Sequence, residues 1–278
     1  MHTESLRASF EETVAEPGDG FALDRAALLI AAEEYPDLPI DCYVVELDVL
    51  ARRIRERLHA DAGPHEVLRR MRQVLVVEEG FSGNCDQYYD PRNSFLNDVL
   101  DRRVGIPIAL STVYLEIARR IGFPLEGVGF PGHFLVKYSH HGDDIVVDPF
   151  HDGSILTTDD LERRLDEMFG GRIRHEAKLL TPVSSRRLLF RMLGNLKSIY
   201  LRNEDSRRAL AAVERMLILE PSEVGEHRDR GLLLKQLGRP IEALQSLSRY
   251  RALAPEATDH TTIGAMVEEL KLRVGMAN

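Results

Sequence analysis

Apolar residues recur three and four positions apart through most of the first 80 residues. In "LDRAALLIAAEEY" they fall at Leu23, Ala26, Ala27, Ile30 and Ala31, the spacing of one helix face, and "YPDLP" ends the run. A second helix is predicted from Ile40 to His59, with Val44, Leu47, Leu50, Ile54 and Leu58 on one side and Cys42 in the core. A third runs through "EVLRRMRQVLVVEE" after the turn "DAGP". Together they predict an N-terminal helical bundle. Residues 80–93, "GFSGNCDQYYDPRN", are rich in turn formers and read as a long ordered loop. It leads into a helix over "SFLNDVLDRR" with Asn93 or Ser94 as its N-cap. The next helix spans Pro107 to Ile121: proline suits a first helical position and Gly122 suits the C-terminal cap.

After Gly122 the apolar period changes from helical to two. "LEGVGFP", "HFLVKY" and "DIVVDPF" are short, rich in Val, Ile and Phe, and separated by turn signals, which predicts an antiparallel sheet. "TTDDLERRLDEMFGG" then reads as a helix capped by Thr158 and stopped at Gly170. Farther on, Ala209, Leu210 and Pro221 recur 34 residues later as Ala243, Leu244 and Pro255. That period belongs to tetratricopeptide repeats, each a pair of antiparallel helices. Helices followed by a sheet and then by helices make the class α+β.

Composition narrows the partners. The 278 residues are 44% hydrophobic, enough for a real core, and carry a formal charge of -9. Acidity of this size argues against nucleic acid, whose binding needs a basic footprint. No apolar run approaches the ~20 residues that span a bilayer, and "MHTESLRASFEETVAEPGDG" lacks the apolar core of a signal peptide. No membrane contact and a cytoplasmic location are therefore expected. Two cysteines, Cys42 and Cys85, supply neither a disulfide framework nor a zinc ligand set.

The candidate chemistry lies on the predicted strands. A hairpin turning between His140 and His141, inside "SHHGDD", sets His133 directly opposite Asp148, with Cβ atoms about 4.5–5.5 Å apart. Asp148 then fixes the tautomer of His133, as the third member of a catalytic triad does. A structural His-Asp pair bridging two strands fits the same spacing. His133, Asp148 and His151 could also form a metal set, but nothing in their spacing is diagnostic; no metal and no cofactor are expected.

The chain resembles the transglutaminase-like superfamily, and within it the bacterial SirB-type proteins, named as invasion regulators. The resemblance is carried by "AALLIAAEEYPDLPIDCYV", "YYDPRNSFLNDVLDRRVGIPIALSTVYLEIARRIG", "GVGFPGHFLVKY", "VVDPF" and the repeats. It implies a papain-like core, a helix packed on an antiparallel sheet, followed by tetratricopeptide repeats. The divisions expected are residues 1–182, helical to about 80 and core beyond, and 183–278. The resemblance also implies a cysteine at the start of the core helix, then a histidine and an aspartate. His133 and Asp148 match the last two, and the cysteine position falls on Pro107, which can neither attack a carbonyl nor lose a proton.

Two other residues could stand in as nucleophile. Ser111 is one turn along the same helix, about 5.4 Å from the cysteine position, and packing within the core is its alternative role. Cys85 sits in a loop that could fold over the helix, with a functionless thiol as the alternative. Asn93, Ser94, Asn97 and Arg103 belong to the SirB-type run and are expected to line the cleft with Pro107 and Gly132. Arg103, Asn97 and His133 could make a carboxylate- or amide-binding pocket; capping and helix surface are the other reading. The free first-turn amides at Pro107 are a second place favourable to an anion, unless "FSGNCDQYY" closes it. The function expected is binding of a protein or peptide, through the cleft and the repeats, in a regulatory role without catalysis.

Overall fold

The computed structural model describes residues 2–276 apart from 17, 19, 141 and 142, and divides into two compact units, residues 1–192 and 193–278. The first unit opens with helices α1 (His2–Thr13), α2 (Leu23–Ala31), α3 (Ile40–Arg55) and α4 (Pro64–Arg72). Nearly all of α2 is buried, as its continuous apolar run requires. On α3 only Leu47, Leu50, Ala51 and Ile54 are buried, and the helix stops at Arg55, short of His59. Cys42 lies well off that face and is exposed, so the core placement expected of it is corrected. The third helix does not continue unchanged either, because residues Gln73–Glu78 widen into a π-helix.

A parallel pair, β1 (Ser82–Gly83) with β2 (Val104–Gly105), flanks a short 3-10 turn, Pro91–Asn93, and α5 (Leu96–Arg102). The N-cap of α5 is Phe95, with no side-chain cap, in place of Asn93 or Ser94. The core helix α6 (Pro107–Ile121) has Pro107 in its first turn and ends on Gly122 at φ 75°, a left-handed cap that favours glycine. It packs against α2, α3 and α5 and against the sheet, so it is buried nearly all round. Where it meets α2, Asp24 and Glu116 are buried acids, and the Arg120 guanidinium bonds to both and reaches Asp48 at 2.7 Å.

The sheet is β3 (Leu125–Val128), β4 (Leu135–His140), β5 (Asp143–Asp148), β6 (Ser154–Leu156) and, after α7 (Thr158–Phe169), β7 (Pro182–Val183). Its order is β6-β5-β4-β3-β7, antiparallel throughout. Between β4 and β5 the register pairs Val136 with Val147 and His140 with Asp143. The expected hairpin was two residues out: this ladder, continued, would set position 135 across from Asp148, and His133 lies before β4. The turn itself, His141 and Gly142, lies outside the described residues. Val128, Phe130, Leu135 and Val146 of the sheet side form one apolar cluster with Leu161 and Leu165 of α7. The N-cap of α7 is Thr157, one residue before the expected Thr158, in a reciprocal capping box with Asp160. Gly170 ends the helix at φ 59°, as expected.

Helix α8 (Ser185–Arg202) runs from the first unit into the second, which continues with α9 (Ser206–Leu219), α10 (Val224–Gln236), α11 (Pro240–Leu253) and α12 (His260–Met276). The repeated residues fall on equivalent helices: Ala209 on α9 and Ala243 on α11 are both fully buried. At Gly231 a Cβ would come within 3.1 Å of the Leu247 backbone nitrogen and closer still to the Leu247 side chain, so α10 and α11 approach more closely than an alanine allows.

Candidate functional site

His133 is placed by a turn. In "FPGH" the His133 amide donates to the Phe130 carbonyl at 3.0 Å and Gly132 takes φ 65°, the conformation that a type II turn demands at its third residue. Proline before that glycine completes the signature, which could have been found in the sequence. A Cβ on Gly132 would lie 1.8 Å from the Met168 methyl, so α7 closes directly over this turn.

Asp148, at the end of β5, is fully buried and collects five donors. His133 Nε2 lies 2.9 Å from Oδ1, which also accepts from the Phe150 and His151 amides at 2.9 and 3.2 Å. His151 Nδ1 lies 2.7 Å from Oδ2, which also accepts from Arg164. Burial by itself would push this carboxyl up. The His133 hydrogen bond and charge, the Arg164 guanidinium and His151 outweigh burial and hold Asp148 well below the ordinary carboxylate range. An ionised Asp148 can only accept, so the proton sits on Nε2 of His133 and on Nδ1 of His151. The nitrogens left for anything else are His133 Nδ1 and His151 Nε2, which have no hydrogen-bond partner among the described residues.

Beside these rings is a cavity of about 320 Å³. His133 and His151 line it together with Arg163, Arg164, Glu167 and Met168 of α7. Phe150 packs edge-on against both imidazoles, at 5.8 and 5.0 Å between ring centroids. Tyr88 packs edge-on against Phe150 in turn, at 6.2 Å, which brings the loop carrying Cys85 to the same wall. No sequence signal marked Arg163, Arg164 or Glu167, because charged residues on an amphipathic helix read as solvated surface.

The other expected site residues lie elsewhere. Pro107 starts α6 under cover: the Ile106 amide donates to the Asn93 carbonyl at 3.1 Å and the Asn84 amide to the Gly105 carbonyl at 3.1 Å. Residues 106–114 are all buried, and none lines the cavity beside His133. The helix start is thus covered by the segment around "FSGNC", the alternative the sequence left open for its amides. Ser111 is fully buried and its hydroxyl faces the Phe134 carbonyl at 3.5 Å; no hydrogen bond joins it to His133. Cys85 is exposed and has no hydrogen bond to His133. Asn93 knots its own loop, accepting from Asn84 Nδ2 at 3.1 Å and donating to the Gln87 carbonyl at 2.7 Å. Ser94 and Asn97 are buried, and Ser94 Oγ and Asn97 Oδ1 have no hydrogen-bond partner among the described residues.

Arg103, expected in the cleft, is a staple instead. It sits in the left-handed region at φ 60°, bonds Glu46 and Glu79 at 2.6 and 3.0 Å, and stacks on Phe81. A pocket of Arg103, Asn97 and His133 therefore does not form. His133, Asp148 and His151 do converge, with candidate ligand atoms within 4.8 Å of one another. Arg164 bonded to Asp148 disfavours a cation there, since a metal would face the guanidinium charge.

Comparison with known proteins agrees with this architecture. Residues 42–194 match the transglutaminase-like superfamily and residues 196–268 match tetratricopeptide repeats. A UPF0162 protein of Xylella fastidiosa is 41% identical over 236 residues, covering 82% of this chain and 83% of that protein. A UPF0162 protein of Pseudomonas aeruginosa is 34% identical over 253 residues, 90% of this chain and 91% of that one. F-box only protein 21 of Homo sapiens is 38% identical over 142 residues, 48% of this chain and 22% of that protein. With a helix packed on an antiparallel sheet, a His-Asp pair at the ends of its strands and a repeat region later in the chain, the chain belongs to the transglutaminase-like superfamily.

Proposed function

We propose that the protein binds a protein or peptide partner in a regulatory role and does not cleave it, with the face around His133 and Asp148 and the repeat helices as its binding surfaces. The observation that carries this reading is Pro107: it occupies the buried first turn of α6, where the resemblance puts the nucleophile, while His133 and Asp148 remain hydrogen-bonded at 2.9 Å. A proton acceptor held in one tautomer with no nucleophile bonded to it has nothing to activate. Tetratricopeptide helices supply extended surfaces suited to peptide segments, which supports the same role. The test is turnover of amide and ester substrates by the full chain, expected to be nil. Turnover lost in His133→Ala would overturn the proposal.

A second reading, a hydrolase or acyl transferase working through Cys85 or Ser111, is favoured by one observation: the Cys85 loop reaches the wall of the site through Tyr88 and Phe150. It requires covalent labelling of Cys85 or Ser111 by an acylating probe, lost in His133→Ala. Labelling of Cys85 by an alkylating reagent at equal rates in wild type and His133→Ala would leave it without support.

A further inference from the structure

We infer that the cavity between α7 and the His133 turn is a carboxylate subsite, which takes an Asp or Glu side chain or a chain terminus of the bound partner. This rests on the binding function proposed above and specifies the chemistry of what is bound. Both oxygens of Asp148 are fully engaged, Oδ1 by His133 and two backbone amides and Oδ2 by His151 and Arg164. The buried anion of the site is therefore unavailable to a ligand, and what faces the cavity is the set of groups around it.

The two arginines among those groups are donors, and the two imidazoles become donors on protonation. His133 Nδ1 and His151 Nε2 each gain an N–H when protonated, and the two rings stand 5.6 Å apart between centroids, close enough to serve one ligand. Arg164 uses one nitrogen on Asp148 and Arg163 one on Asp160, and each guanidinium carries five N–H donors. A carboxylate placed among them receives charge-assisted bonds from the planar guanidinium forks, and from the imidazoles in their protonated form. Among the described residues Glu167 is the one acidic group lining the cavity, and no hydrogen bond or ion pair among them engages it. Its charge opposes an incoming carboxylate, so the structure carries its own internal test of sign. Met168, 45% exposed, and Phe130 give the cavity an apolar side for the methylenes of the bound residue.

The experiment follows the ring resonances of His133 and His151 by NMR in the full chain, assigned from His133→Gln and His151→Gln. The probes are N-acetylglycylglycine and the same peptide as its C-terminal amide. The free carboxylate is expected to shift both rings and the amide neither. Arg163→Gln should weaken the carboxylate about threefold and Glu167→Gln tighten it about threefold, each being a single partly exposed charge. A structural role for α7 would move both variants in the same direction. Equal shifts from the amide overturn the proposal, as does the absence of any shift, or rings that respond to zinc chloride and not to the peptide. Failure of the binding function has a different signature: amide turnover lost in His133→Ala with the carboxylate-dependent shifts still present.

Discussion

Asp148 decides the site at the scale of one residue. It is fully buried, and its ionised form is held by two histidines, an arginine and two backbone amides. Asp148→Asn keeps the shape and removes the charge, which should cost about 3 kcal/mol in urea unfolding near neutral pH. The pH dependence has a definite sign. A carboxyl depressed in the folded state contributes stability that is fully present above its unfolded value near ~3.9, and loses it as pH falls below that. The gap between wild type and Asp148→Asn should therefore be flat from pH 8 to 5 and shrink below pH 4. Gly132 is the second decisive residue. Gly132→Ala must hold an L side chain at φ 65° and displace the Met168 methyl, with an expected loss of about 1–2 kcal/mol. Adding Met168→Ala should recover only the steric part, as read from the denaturation midpoint.

At the scale of elements, the cavity depends on α7 staying in place. Its first turn is held by the reciprocal box in which Thr157 Oγ1 accepts from the Asp160 amide at 3.2 Å and the Thr157 amide donates to Asp160 at 2.9 Å. The Thr157 hydroxyl, which donates to Asp160 Oδ2 at 2.7 Å, together with the Thr157 amide and Arg163, holds the Asp160 carboxyl down to about 2, so the box stays charged at any physiological pH. Thr157→Ala is expected to speed hydrogen exchange in the first turn of α7 about five-fold and to leave exchange in β4 unchanged. The repeat helices have a comparable weak point at Gly231. Gly231→Ala should destabilise the unit of residues 193–278 by about 1–3 kcal/mol, because backbone of α11 and not only a side-chain tip stands in the way. Thermal unfolding followed by circular dichroism checks it.

On the scale of the whole molecule, the fold leaves both thiols at the surface. Cys42 and Cys85 are both exposed, so an aromatic disulfide reagent should titrate two thiols per native chain without a lag. A core Cys42 would leave one thiol silent until denaturant is added. The acidic surface and the site also separate: the formal charge is -9, yet most of the charged side chains lining the cavity are arginines. Among the described residues no helix is long and apolar enough to cross a membrane, consistent with the short apolar runs of the sequence.

What could be read without the structure is what local rules govern. The limits of α6 follow from Pro107 and Gly122, each suited to one end of a helix by its own backbone. The strands follow from period-two apolar runs, α7 to within one residue from its threonines and Gly170, and the repeats from a 34-residue period. The His133–Asp148 contact was reached through a register two residues out, because the FPGH turn and not strand pairing delivers the imidazole. Arg103 and Arg164 are indistinguishable as sequence, both basic residues on or beside amphipathic helices. Only the tertiary structure sends one to Glu46 and Glu79 and the other to Asp148. Cys42 shows the same limit, since helical spacing tells which residues share a face but not how far the buried stripe extends around it. Periodicity and caps are properties of neighbouring residues. Which charge meets which, and which cavity a histidine faces, depend on elements brought together from distant parts of the chain, and packing alone decides them.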